Sequence, residues 1–148
     1  MSLVSLINED VLKVPMTAST KSEVFPELLD LLVNAGKVDD RERALNALLE
    51  RESQASTGLE SGIAVPHAKT DAVPKIALAI GISPQGIDFQ SMDGEPSRIF
   101  FLMLAPPDQS GPHIEALAEI ARLAKSPAFL KALANTQSPS ELMELLSE

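Results

Sequence analysis

The amino-acid sequence predicts an α/β fold in which helices sandwich a small sheet. Residues 76–82 and 99–105 are nearly continuous apolar runs, of a length suited to strands buried on both faces and too short for core helices. Segments with helical apolar spacing stand before and after them, each opened by a capping residue or a proline. No internal period of about 20 to 50 residues and no linker-like stretch divides the chain, so residues 1–148 read as a single domain.

The first helix opens on the capping-box pattern Thr20-x-x-Glu23 and carries Val24, Leu28, Leu31, Leu32 and Ala35 at helical spacing up to Gly36. Pro26 lacks an amide donor beyond the first turn, which puts the regular start near Ser22. A second helix starts at Asp39 or Asp40, carries Ala44, Leu45, Leu48 and Leu49, and brings Arg51 to its C-terminal end, where a cation is favoured. The polar residues 53–61, with Thr57-Gly58, lead to a short strand Ile63-Ala64-Val65 that ends at Pro66-His67. Between the two longer strands Gly86, Asp93-Gly94 and Pro96 mark turns. Gly111-Pro112 opens a helix with proline at its first position and Ile114, Leu117, Ala118, Ala121 and Leu123 or Ala124 on its buried side. Ser126-Pro127 and Ser138-Pro139-Ser140-Glu141 open two more, the last turning Leu142, Leu145 and Leu146 inward. Met92, Met103 and Met143 read as core or rim packing.

With 45% apolar residues in 148, the chain can bury a core of its own. It has no Cys, Tyr or Trp and only five Phe, so that core is aliphatic, and disulfides and thiolate metal sites are excluded. The N-terminus has no basic segment followed by an apolar one, and the longest apolar run is far below the roughly 20 residues of a membrane helix, so the expected location is cytoplasmic, without membrane insertion. Twelve basic against 21 acidic residues give a net charge of −9, which repels nucleic acid and anionic lipid.

Only two histidines occur, and both stand beside a proline at the edge of a predicted element. Pro66 fixes its own φ and biases Val65 toward extended backbone, so the imidazole of His67 leaves the strand end in a defined direction. Imidazole is a good nucleophile near neutral pH, and its phosphoramidate stays reactive enough to pass the group on. Such a site wants donors around the phosphate oxygens. His113, in the first turn of its helix, meets free amides and the positive end of the dipole, which favour an anion and a neutral ring. Arg51 offers a planar fork that matches a phosphate. Ser56 and Thr57 lie between Arg51 and His67, where their hydroxyls can orient an imidazole nitrogen. A metal-dependent hydrolase using the histidines with Asp71 or Asp108 is disfavoured by their spacing, and no Gly-rich loop ending in Gly-Lys-Ser or Gly-Lys-Thr supports an NTPase.

The segment Arg51-Glu52 … Ser56-Thr57-Gly58 … Gly62-Ile63-Ala64-Val65-Pro66-His67 resembles the active-site signature of the fructose/mannitol-type (type-2) IIA domains of the sugar phosphotransferase system, which include a nitrogen-regulatory branch. The likeness continues through Gly86-Ile87-Asp88-Phe89, Asp93-Gly94, Ala105-Pro106 and His113, and covers about residues 6 to 146. It implies a mixed sheet flanked by helices, phosphorylation of His67, a second active-site histidine at His113 and a conserved arginine at Arg51. It also implies a histidine-containing phosphocarrier protein as donor and a cysteine of a transporter IIB domain as acceptor, with no metal or organic cofactor, because two comparable nucleophiles exchange the group. Glu60 and Asp71 read as solvated charges, or as groups that orient His67 or meet the basic face of the phosphocarrier; Lys69 stands at the docking rim. Pro112 stands where the family varies, and Pro26 has no counterpart in the family pattern. A regulatory protein whose partners depend on the phosphorylation state of His67 is the alternative. Pro107-Asp108-Gln109 resembles the regulatory branch and Ala68-Lys69-Thr70-Asp71 the fructose branch.

Overall fold

The computed structural model describes residues 3–148. Two 3-10 turns, Leu3–Leu6 and Glu9–Val11, lead into strand β1 (Leu12–Lys13), followed by helices α1 (Lys21–Asn34) and α2 (Arg41–Gln54). Strands β2 (Ile63–Ala64), β3 (His67–Lys69), β4 (Ala77–Ile87) and β5 (Ser97–Ala105) come next, then helices α3 (Ser110–Leu123), α4 (Pro127–Ala134) and α5 (Pro139–Leu146). The strands form one mixed sheet in the order β1-β4-β5-β2, with β3 also paired to β5. Strands β4 and β5 are antiparallel, whereas β1 runs parallel to β4, and β2 and β3 run parallel to β5. Helices α1 and α2 pack on β4 and β3 respectively, α4 on β4 and β5, and α5 on β1. The expected helix-covered sheet is present, and the apolar run 99–105 is its buried centre, with every residue at most 2% exposed.

Strand β4 extends five residues past the predicted end and carries an irregularity between Ile82 and Ile87. Gly86, with φ +80, therefore kinks a strand and does not make a turn. The turn falls at Asp93-Gly94, where the Asp93 carboxylate accepts the amides of Ser61 and Glu95. Strand β1 escaped the sequence reading because two residues carry no periodicity.

Helix α1 starts at Lys21, ahead of the expected Ser22, because the Glu23 carboxylate reaches back to the amides of Ser19 and Thr20 and caps the turn. In α2, Asp40 caps through the amide of Arg43, and Ala44 and Leu48 are buried, but Leu49 is turned outward. Helix α3 corrects the sequence reading more deeply. It begins at Ser110, which puts Pro112 in the third position, and its buried residues are His113, Ala116 and Ile120. Ile114 is 66% exposed, and Ala118 and Ala121 face solvent. The phase is offset because a histidine, treated as a surface group, occupies the inward face. Met92 is exposed as well, on the turn after β4, while Met103 is fully buried and Met143 half-buried.

The loop between α2 and β2 sits directly on the backbone after β4. A Cβ on Gly58 would lie 2.9 Å from both the Phe89 carbonyl oxygen and the Ser91 Cα, and the Gly58 carbonyl accepts the Met92 amide. Gly58→Ala is therefore expected to lower unfolding free energy by about 1–3 kcal/mol in a urea titration. An unchanged midpoint would mean that these two backbones separate freely.

Candidate active site

The site grows from an interrupted edge strand. Ile63 and Ala64 pair with Ile99 and Phe100, and His67, Ala68 and Lys69 with Met103, Leu104 and Ala105, in one continuous register across Val65-Pro66. Pro66 has no amide to give to β5, which splits the strand in two, but its carbonyl still accepts the Met103 amide at 2.9 Å. The Val65 and His67 side chains share one face of the sheet, and because backbone amides and carbonyls alternate between the two edges of a strand, those of Val65 face the outer edge, away from β5. There the Val65 amide donates to the Thr57 carbonyl at 3.0 Å, and Nδ1 of His67 lies 2.7 Å from the Val65 carbonyl. A carbonyl only accepts, so Nδ1 carries a proton, and whenever the ring is neutral the lone pair is on Nε2. His67 thus heads a short strand of its own, just past Val65-Pro66, where the sequence placed the end of the preceding strand.

His113 comes from α3. Its ring stands edge-on to that of His67, with centroids 5.5 Å apart. The residue is 5% exposed, and its Nε2 has no hydrogen-bond partner. Burial, reinforced by His67 and Lys69, pushes its pKa below the usual histidine range. His113 is accordingly a neutral imidazole with an unsatisfied nitrogen, as its position in the first turn of the helix suggested.

Arg51 lies in the last turn of α2 and donates to the Ala55 carbonyl at 3.1 Å. Lys69 donates to the Ser110 hydroxyl at the start of α3. Neither is paired with a carboxylate among the described residues, although Arg41 binds Asp30 and Arg43 binds Asp71. Arg51, His67, Lys69 and His113 line one cleft of about 430 Å3, joined by Glu50 and Gln54. Two unpaired cations facing one cavity in a chain of net charge −9 make it a place for an anion. A smaller apolar hollow of about 220 Å3, lined by Leu59, Val65, Leu117 and Ile120, adjoins Arg51 and His67.

The remaining candidates are distributed differently. Thr57 and Ser56 do not touch the imidazole. The Thr57 hydroxyl donates to Glu52 at 2.6 Å and the Ser56 hydroxyl to the Phe89 carbonyl at 2.8 Å, so backbone, not hydroxyl, orients His67. Asp71 is committed to Arg43 on the surface, and Glu60 is exposed on the turn before β2. Among the described residues no three His, Cys, Asp or Glu side chains gather as metal ligands. Sequence reading missed Glu52, which was quoted in the motif without a role, and the Val65 carbonyl, which no side-chain motif reveals.

A buried neutral His113 sets the sign of one pH effect. With its folded pKa below the unfolded value, the unfolded chain binds more protons as pH falls through about 6.5, and stability drops. Chemical denaturation of wild type and His113→Gln between pH 7.5 and 5.5 should show the wild type losing up to about 1.4 kcal/mol per pH unit relative to the variant. Parallel curves would mean that His113 takes up its proton as readily in the folded protein as in the unfolded chain.

The family described as phosphoenolpyruvate-dependent sugar phosphotransferase system, EIIA 2, matches residues 5–148. The fructose-specific EIIA component of the phosphotransferase system of Haloferax volcanii is 42% identical over 130 residues, 88% of this chain and 84% of that protein. A nitrogen regulatory protein of Bradyrhizobium diazoefficiens is 30% identical over 148 residues, covering 99% of this chain and 95% of its own. In the solution structure of the complex of enzyme IIA mannitol with phosphorylated enzyme IIB mannitol from Escherichia coli, the matching chain is 26% identical with a TM-score of 0.81, over 95% of this chain and 96% of that one. The shared fold and the near full-length match make this chain a member of the type-2 EIIA family of the sugar phosphotransferase system, a family of phosphoryl carriers.

Proposed function

We propose that Nε2 of His67 accepts a phosphoryl group from the histidine-containing phosphocarrier protein and passes it to a cysteine on a IIB domain. The observation that carries this reading is the hydrogen bond from Nδ1 of His67 to the Val65 carbonyl, beside the buried His113, whose Nε2 has no partner among the described residues, and two cations without a carboxylate partner there. In the forward step the Nε2 lone pair attacks phosphorus in line as the bond to the donor imidazole breaks, and the donor nitrogen leaves with its electron pair. Arg51 and Lys69 stabilise charge on the equatorial oxygens, and the unsatisfied Nε2 of His113 gains a partner when one of those oxygens arrives. In the return step a thiolate attacks and Nε2 leaves. Because Nδ1 already holds its proton, the departing ring is neutral imidazole, and no proton has to move.

The IIB acceptor is supported by the relative whose structure is a complex with phosphorylated IIB mannitol. No helix among the described residues is long and apolar enough to cross a membrane, which agrees with a carrier working in the cytoplasm. A regulatory role is the second reading, supported by the nitrogen regulatory relative that matches over almost the full length of both chains. The transport reading is preferred on the 42% identity to a fructose-specific EIIA component.

The test is transfer of label from radiolabelled phosphoenolpyruvate, with enzyme I and the phosphocarrier protein present. Wild type should acquire acid-labile, alkali-stable label that chases onto a fructose-type IIB domain, and His67→Ala should acquire none. Label that IIB cannot discharge would favour the regulatory reading; wild type without label would end both. His113→Ala should fold and bind the phosphocarrier nearly as well as wild type, but transfer more slowly by about 100- to 1000-fold, the range for losing one charge-stabilising donor. Unchanged transfer would remove His113 from the mechanism.

A further inference from the structure

We propose that Glu52 is a positioning residue for this transfer, holding the Val65 carbonyl against Nδ1 of His67 by way of Thr57. The inference rests on the phosphoryl-transfer reading above and adds the group that keeps Nε2 of His67 available.

The Glu52 side chain is only 7% exposed. One carboxylate oxygen accepts the Thr57 amide at 2.8 Å and the other the Thr57 hydroxyl at 2.6 Å, so both oxygens are aimed at a single residue. Lys21 neutralises the carboxylate from 2.9 Å and is itself held by the Gln90 side chain and the face of the Phe89 ring. The Thr57 carbonyl then accepts the Val65 amide, while the next residue, Pro66, is tied to β5 through the Met103 amide. The Val65 carbonyl lies between those two anchors and receives Nδ1 of His67.

The same loop carries the Ala55 carbonyl that receives Arg51, a cation lining the same cleft as His67. A buried ion pair is a poor source of stability, because apolar residues of similar volume often hold as well. What this pair supplies is direction. Two acceptors on two donors of Thr57 leave that peptide one orientation, and a free imidazole without such a partner would exchange between its two neutral tautomers.

The experiment uses the full chain with its histidine rings labelled with nitrogen-15, as wild type, Thr57→Ser and Glu52→Gln. Ring nitrogen shifts of unphosphorylated His67 report the tautomer, and rapid-quench transfer from the phosphorylated phosphocarrier reports the rate. Wild type and Thr57→Ser, which keeps both donors, should hold the proton on Nδ1. Glu52→Gln should populate the Nε2-protonated form and transfer about 10- to 100-fold more slowly, as small misplacements of reacting groups do. If Glu52→Gln fails to fold, Lys21→Gln, which keeps the carboxylate but loosens it, is read in the same way. A folded variant that keeps the proton on Nδ1 overturns the proposal, whatever its rate, as does a tautomer change without slower transfer. Wild type that takes no phosphoryl group overturns the transfer reading instead, and the tautomer comparison still shows whether Glu52 orients the ring.

Discussion

The site depends on one hydrogen bond, from Nδ1 of His67 to the carbonyl two residues earlier. It exists because β2 and β3 stay in one register on β5 while Pro66 withholds an amide from the ladder. The register holds the sheet side of the strand, and the Thr57 carbonyl holds the outer side through the Val65 amide. The histidine is left with a single nitrogen to offer. In the proposed transfer the constraint serves twice: it presents a lone pair when the group arrives, and it keeps a proton on the ring so that the group can leave. A carrier that must both gain and lose a phosphoryl group needs this balance more than it needs tight binding.

Around that bond the electrostatics are arranged for an anion that is not always there. Arg41 and Arg43 are paired with carboxylates, but among the described residues Arg51 and Lys69 bind only neutral acceptors. Between them His113 is buried and driven neutral, so it adds no third positive charge while the site is empty. A dianion on His67 would meet the two cations at once, and its charge would work against the forces that keep His113 neutral. The exposed Ile114 on α3 and the half-exposed Leu49 on α2 adjoin in sequence two residues that line the cleft, His113 and Glu50.

Much of this was legible in the sequence. Long apolar runs gave away β4 and β5, capping patterns the helices, and the Pro66-His67 pair the strand end that lines the cleft. The misplaced elements share a cause, which is that local pattern was asked to report a tertiary choice. Helix α3 was read out of phase because its inward face is led by a histidine, and only the cleft makes that burial favourable. Thr57 and Ser56 were given to the imidazole because hydroxyls near a histidine suggest it. Their real partners, Glu52 and the Phe89 carbonyl, depend on how the loop lies on the segment after β4. The orienting group of His67 is a backbone carbonyl, which every residue has and no motif marks.

The most direct test of this account is which ring nitrogen carries the phosphoryl group. Proton-coupled nitrogen-15 and phosphorus-31 spectra of the phosphorylated, histidine-labelled chain distinguish the two isomers. The account predicts phosphorus on Nε2 of His67, with Nδ1 still protonated and its proton slow to exchange. Phosphorus on Nδ1 would require the bond to the Val65 carbonyl to break before every transfer, and would contradict the central claim.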